Sequence, residues 1–215
     1  MKPLVILLHG LARGQGSMSG LSTHLRQHGF DTWATTYPSR QHSIAYLASA
    51  LTEQIVDAAG ERPIHAVTHS MGGIIVRHLR DPRLHWARIV MLAPPNRGSR
   101  LAAGLVRNPL FQFFYGPAGL ELADATAWPL PPVTPAIIAG TRSLALTNVT
   151  SWTVGRRFPI GVKNDGTVAV EETKLDQMAA FAEVDATHTW MMNSEHVRHL
   201  VVTYLSEGCF PGVTL

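Results

Sequence analysis

Three side chains in this 215-residue sequence have the types and the order that nucleophilic acyl chemistry needs: Ser70, Asp165 and His188. A serine hydroxyl is a weak nucleophile at neutral pH. It becomes a strong one when an imidazole takes its proton and a carboxylate fixes the imidazole tautomer and stabilises the imidazolium. Ser70 lies in Ala66-Val67-Thr68-His69-Ser70-Met71-Gly72-Gly73, where an apolar run stops at the serine and a helical pattern (Ile74, Ile75, His78, Leu79) starts just after it. A strand, a sharp turn and a helix with a hydroxyl at the turn form a nucleophile elbow, in which the next residue's N–H also points at a bound acyl oxygen. The stretch departs from G-x-S-x-G at one position, Thr68, and the plain alternative is a serine in an ordinary strand-to-helix turn.

The base and the carboxylate follow from position. Of the eleven histidines, His188, His196 and His199 fall late enough for the order Ser, Asp or Glu, His used by sheet-based hydrolases. His196 and His199 sit inside the last helical pattern, whereas His188 is in a loop directly after a short strand pattern, where a side chain reaches across the end of a sheet. Asp165 precedes Gly166 in a polar turn; Asp-Gly is also a common structural turn. Asp176 and Asp185 compete with it, but Asp185 stands too close to His188 in sequence to orient its ring from the far side. Two N–H groups suit a developing oxyanion, that of Met71 at the elbow and that of Leu11 in the glycine-rich loop after His9-Gly10. His9 precedes the serine and reads as a structural histidine.

The elements that must position these groups alternate along the first half of the chain. Leu4 to Leu8 reads as a strand buried on both faces, and Met18 to Gly29 as a helix. Phe30 to Tyr37 reads as a second strand, and Ser43 caps a long helix through Ala59. The elbow and a strand from Trp86 to Ala93 follow. This alternation predicts a parallel sheet with helices on both faces. Residues 100–135 break the rhythm and read as an insertion of short helices; Ala136–Ala139 and Phe181–Val184 resume the sheet, and a closing helix begins at Asn193-Ser194. Residues 142–163 carry little pattern.

Composition narrows the classes. The apolar fraction of 46% and the length fit one globular domain, residues 1–215. The single cysteine, Cys209, excludes an intramolecular disulfide and a thiolate metal cluster, which fits a reducing compartment. The net charge of +3 is small and the arginines are scattered without a basic stripe, so nucleic-acid binding is not expected. The apolar run at the start is too short for a signal peptide or a membrane span, which points to a cytoplasmic location, or to a secreted or periplasmic one if a leader has been removed.

The chain resembles a small α/β-hydrolase of the lipase and carboxylesterase group. The resemblance rests on His9-Gly10-Leu11, Thr68-His69-Ser70-Met71-Gly72-Gly73, Ala93-Pro94-Pro95-Asn96-Arg97-Gly98-Ser99, Asn164-Asp165-Gly166-Thr167-Val168 and Thr187-His188-Thr189, in that order. It implies a triad of Ser70, His188 and Asp165, an oxyanion hole from the N–H groups of Leu11 and Met71, and hydrolysis of carboxylic esters with no metal and no organic cofactor. The 100–135 insertion is then a cap or lid, with Phe111, Phe113, Phe114 and Tyr115 lining an acyl pocket or meeting lipid; the plain alternative is that they cover the sheet. A small cap suggests short- to medium-chain acyl esters. A thioesterase, amidase or acyltransferase would use the same triad, and a non-catalytic protein binding a hydrophobic ligand or partner would keep only the fold.

Overall fold

A computed structural model describes residues 1–143, 158–159 and 161–211. Most of the patternless 142–163 segment lies outside the described residues, as do the side chains of Leu110, Phe111 and Phe114.

Six runs pair side by side: β1 (Leu4–Leu8), β2 (Asp31–Ala34), β3 (Ile64–His69), β4 (Trp86–Leu92), β5 (Ala136–Gly140) and β6 (Ala180–Val184). They form one sheet in the order β2-β1-β3-β4-β5-β6, and every pairing is parallel. The connections carry α1 (Ser19–Gln27), α2 (Ile44–Ala59), α3 (Gly72–His78), α4 (Arg100–Leu105), α5 (Pro109–Glu121) and α6 (Val170–Thr173), and α7 (Glu195–Glu207) closes the chain.

Alternation along β1 sorts the core into two layers. Leu4, Ile6 and Leu8 pack with Leu47 and Leu51 of α2 and with Ile74 and Ile75 of α3. Val5 and Leu7 point the other way, to Leu21 and Leu25 of α1 and to Val197 and Val201 of α7. All of β1 is buried, as a strand covered on both faces requires. Among the described residues no helix is long and apolar enough to cross a membrane.

The second strand is shorter than its sequence pattern, which extends from Phe30 to Tyr37. The Phe30 N–H donates to the Leu25 carbonyl at the end of α1. At the other end the Tyr37 N–H donates to His9 Nε2 (3.3 Å) and its hydroxyl to the His9 carbonyl. Both ends of the run are thus drawn out of the ladder.

The 100–135 segment holds α4 and α5 between β4 and β5, as the broken pattern predicts. Two contacts fix α5 over the sheet. Glu121 Oε2 accepts the Ile44 N–H (3.0 Å) and so satisfies a donor in the first turn of α2, where a carboxylate is also favoured by the helix dipole. At its kink α5 passes through Gly116 (φ 62°), and a Cβ there would lie 1.7 Å from the Arg40 carbonyl oxygen. Gly116→Ala therefore meets both a left-handed backbone and an overlap. It should lower the unfolding free energy by about 1–3 kcal/mol, read as a drop in the urea midpoint at constant slope; an unchanged midpoint would contradict this docking.

Candidate active site

The chain leaves β3 at His69 and reverses at Ser70 in a left-handed conformation (φ 53°) before α3 begins. A non-glycine residue is seldom found there, and the conformation persists only where the surroundings enforce it. The Ser70 N–H donates to the Leu92 carbonyl at the end of β4 (2.8 Å), and the Gly73 N–H to the Ser70 carbonyl (2.9 Å). A Cβ on Gly72 would lie 2.5 Å from the Leu8 carbonyl oxygen, so only glycine lets the helix start against β1. Thr68 is fully buried, and at Gly73 a Cβ would lie 2.9 Å from Pro94 Cβ, so the second glycine lets α3 pass the turn that follows β4.

Three of the residues singled out from sequence meet here. Ser70 Oγ lies 3.0 Å from His188 Nε2, and His188 Nδ1 lies 2.7 Å from Asp165 Oδ2. The carboxylate can only accept, so Nδ1 carries the proton and Nε2 faces the serine hydroxyl as an acceptor. Asp165 is 1% exposed, and its other oxygen accepts the N–H groups of Thr167 (3.0 Å) and Val168 (2.8 Å). The His188 N–H returns to the Asp165 carbonyl (2.9 Å). The competing carboxylates are elsewhere: Asp176 pairs with Arg97 and Asp185 with Arg142, both at the surface. His196 and His199 are exposed on α7.

The neighbouring histidines are structural and neutral. His9 Nδ1 donates to the Gly10 carbonyl (2.8 Å), Nε2 accepts from Tyr37, and the ring stacks on Tyr37 at 3.7 Å between centroids. His69, which sequence reasoning passed over, donates from Nε2 to the His188 carbonyl (2.9 Å) and so ties the elbow to the histidine loop. Burial, reinforced by His188 and Arg13, holds its pKa well below 6.5. Burial likewise lowers that of His9, and on β3 it lowers His65 to about 4, with Arg88 adding to the effect.

The Leu11 and Met71 N–H groups have no acceptor among the described residues; Leu11 lines the same cleft as Ser70, and Met71 follows the serine in the chain. The cleft above Ser70 holds about 420 Å³, and Leu11, Leu101, Leu105, Tyr115 and Leu122 form its apolar wall. Tyr115 faces the cleft. Phe113, also on α5, is 80% exposed and is not among the residues that line the cleft, whereas Tyr115 of the same helix and Leu122 just after it are. The side chains of Phe111 and Phe114 are not among those described.

A buried clamp behind the cleft carried no legible sequence signal, because its contacts join segments far apart in the chain. Arg77 is 4% exposed and donates to the carbonyls of Pro129 (2.6 Å), Asn96 (3.1 Å) and Trp128 (3.3 Å), and its guanidinium lies over the Trp128 ring. Burial brings it down to about 10. Asn96 Nδ2 continues to the Thr173 carbonyl (2.9 Å), and Glu172 accepts the N–H groups of Ala169 and Arg100 (each 2.9 Å). Together these join the ends of the 100–135 segment to the Asp165 turn.

Comparisons agree with this architecture. A family model described as the alpha/beta hydrolase family matches residues 5–207. No protein of curated function matches by sequence. Among solved structures, the mature Bacillus licheniformis lipase BlEst2 superposes with a TM-score of 0.75 at 17% identity over 95% of this chain and 91% of that one. A thermophilic esterase from Thermogutta terrifontis gives 0.61 at 14% identity over 96% and 90%. Phospholipase PlaB from Legionella pneumophila gives 0.60 at 20% identity over 80% and 46%. At such identities the likeness is one of fold.

The buried neutral histidines make stability depend on pH. Each has a folded pKa below its unfolded value near 6.5, so its contribution is complete above that value and is lost as the pH falls toward the folded pKa. The melting temperature should hold from pH 8 to 7 and fall below 6.5 toward 4, each histidine adding a slope of up to about 1.4 kcal/mol per pH unit. His69→Gln, whose amide can still donate to the His188 carbonyl, should make the fall shallower. A melting temperature flat between pH 6.5 and 4.5 would contradict the assignment.

Proposed function

The chain belongs to the alpha/beta hydrolase family, and from that premise we propose that it is a serine carboxylic-ester hydrolase working through an acyl-enzyme. The observation that carries the reading is the relay from Ser70 to His188 to Asp165, at 3.0 and 2.7 Å, on a left-handed serine that borders an open cleft. In the proposed sequence, Ser70 Oγ bonds to the ester carbonyl carbon while His188 Nε2 takes its proton. The oxyanion so formed accepts hydrogen bonds from the Leu11 and Met71 N–H groups. When the tetrahedral adduct collapses, the alkoxide leaves with the proton from His188. A water molecule then gives its proton to His188, attacks the acyl group, and releases the acid and free Ser70. Asp165 keeps the imidazole in the accepting tautomer and stabilises the imidazolium in both halves.

The cleft volume of about 420 Å³ lies toward the lower end for small-molecule sites. Its apolar wall suits a short or medium acyl chain. Phe113, 80% exposed on α5, stands where a transient contact with a lipid surface would begin.

A fluorophosphonate probe should label Ser70, and His188→Ala should lose the labelling; a folded protein that stays unlabelled would favour the non-catalytic binding role. Ser70→Ala should lower kcat/KM on an aryl ester at least about 10³-fold with melting unchanged, and Asp165→Asn by a comparable factor. Wild-type turnover by Ser70→Ala would refute the assignment. Aryl esters of short or medium acids should be cleaved faster than emulsified long-chain triglyceride, and the reverse ranking with activity rising at the oil–water interface would overturn the acyl-length expectation.

A further inference from the structure

Arg13 borders the Ser70 cleft, two residues beyond Leu11. Its backbone is held from both sides: the Ala12 N–H donates to Ser39 Oγ (3.0 Å) and the Gln15 N–H to Thr36 Oγ1 (3.0 Å). Its charge is felt inside the site, where it helps keep His9 and His69 neutral. A guanidinium withdrawn from water is normally paired, because its lost hydration must be replaced. The other half-buried or buried arginines obey this rule. Arg62 donates to the Ala58 carbonyl (2.6 Å), Arg77 to the clamp, Arg88 to the Leu205 carbonyl (2.5 Å) and Arg198 to the Met192 carbonyl (3.0 Å). Arg13, also half-buried, has neither a hydrogen bond nor an ion pair among the described residues.

The surroundings of Arg13 are asymmetric. On one side is the cleft with Ser70 and its apolar wall. On the other is a second cleft of about 400 Å³, bordered by Ser39, Arg40 and Gln41 as well as by Ala12 and Arg13. No Asp or Glu among the described residues lines either one. The positive charge between them therefore faces no internal counter-charge, and a molecule spanning both would place apolar atoms against Leu101, Leu105 and Tyr115 and polar atoms at Arg13.

We propose that Arg13 binds an anionic group, carboxylate or phosphate, on the alcohol portion of the substrate, so that the preferred substrates are acidic esters whose acyl chain lies along the apolar wall. The proposal rests on the reading of Ser70 as the nucleophile and names the substrate class of that site. A planar guanidinium offers two parallel donors to either oxyacid, which fixes the alcohol end while the carbonyl sits at the serine.

Matched ester pairs test it, each assayed as monomers in solution: octanoyl glycerol 3-phosphate against monooctanoylglycerol, and O-octanoyl lactate against O-octanoyl lactamide. At least one anionic member should exceed its neutral partner in kcat/KM by roughly tenfold or more, the worth of a charge-assisted hydrogen bond. The pair that shows the preference identifies phosphate or carboxylate. Added NaCl should raise KM for the anionic member more than for the neutral one. Arg13→Met should bring the ratio to about one, and Arg13→Lys, which keeps the charge without the fork, should keep part of it. Ratios at or below one in both pairs, or a preference that survives in Arg13→Met, would overturn the proposal. If no ester is cleaved and Ser70 resists the fluorophosphonate, the hydrolase reading has failed, and calorimetry with glycerol 3-phosphate and with lactate decides the anion site alone. Binding that is lost in Arg13→Met upholds the site, and no binding of either refutes it.

Discussion

The backbone of Ser70 is held in a left-handed conformation, with φ at 53°, and the surrounding chain is arranged to keep it there. For an L residue this places Cβ against the following carbonyl and costs about 1–2 kcal/mol. The hydrogen bond from Ser70 to Leu92, and the absence of a side chain at Gly72 against the Leu8 carbonyl, hold the turn from the two strands that flank β3. The order β1-β3-β4 at the centre of the sheet is therefore a requirement of the elbow as much as of the core. A Cβ at Gly72 would push α3 away from β1 and leave the serine free to relax out of the cleft.

Every other part of the site hangs on the same edge. The Leu11 loop follows β1, Ser70 follows β3 and the Pro94–Ser99 turn follows β4. Asp165 comes after β5, and His188 follows β6. Parallel strands bring all their carboxyl ends to one edge, where loops from distant parts of the chain can converge on a ligand. Those loops are joined mainly by polar contacts. His69 holds the His188 backbone, Arg77 gathers the carbonyls of Asn96, Trp128 and Pro129, and Glu172 links the Asp165 turn to the start of α4. Burying Arg77 and Glu172 is tolerable because their donors and acceptors are met by these contacts, whereas His69 is partnered at Nε2 and not at Nδ1 among the described residues. Arg13, which borders the cleft, makes no hydrogen bond or ion pair among the described residues.

How much of this the sequence disclosed follows from the range of the interactions. Ser70 was legible because the elbow is local: an apolar run, a hydroxyl, two glycines and a helical period lie within about a dozen residues. Asp165 was legible as an Asp-Gly turn and as a carboxylate that could face an imidazole, and its side chain makes both contacts: Oδ1 accepts the turn N–H groups and Oδ2 lies against the His188 ring. The extent of β2 was not legible, because Tyr37 leaves the ladder for His9, a partner that no nearby residue announces. Arg77 looked like one more scattered basic residue and is a buried clamp, since its acceptors are carbonyls as far off in sequence as Pro129. The aromatic run in α5 gave no indication of which side faces the cleft; helical geometry turned Tyr115 inward and Phe113 outward.

The central claim is that Ser70 carries the acyl group during turnover, and rapid mixing with a p-nitrophenyl butyrate excess followed by acid quench and mass analysis tests it most directly. The account predicts an initial burst of about one p-nitrophenol per chain and a butyryl mass on the peptide that contains Ser70. Steady release of p-nitrophenol with an unmodified Ser70 peptide and the butyryl group on another residue would contradict it.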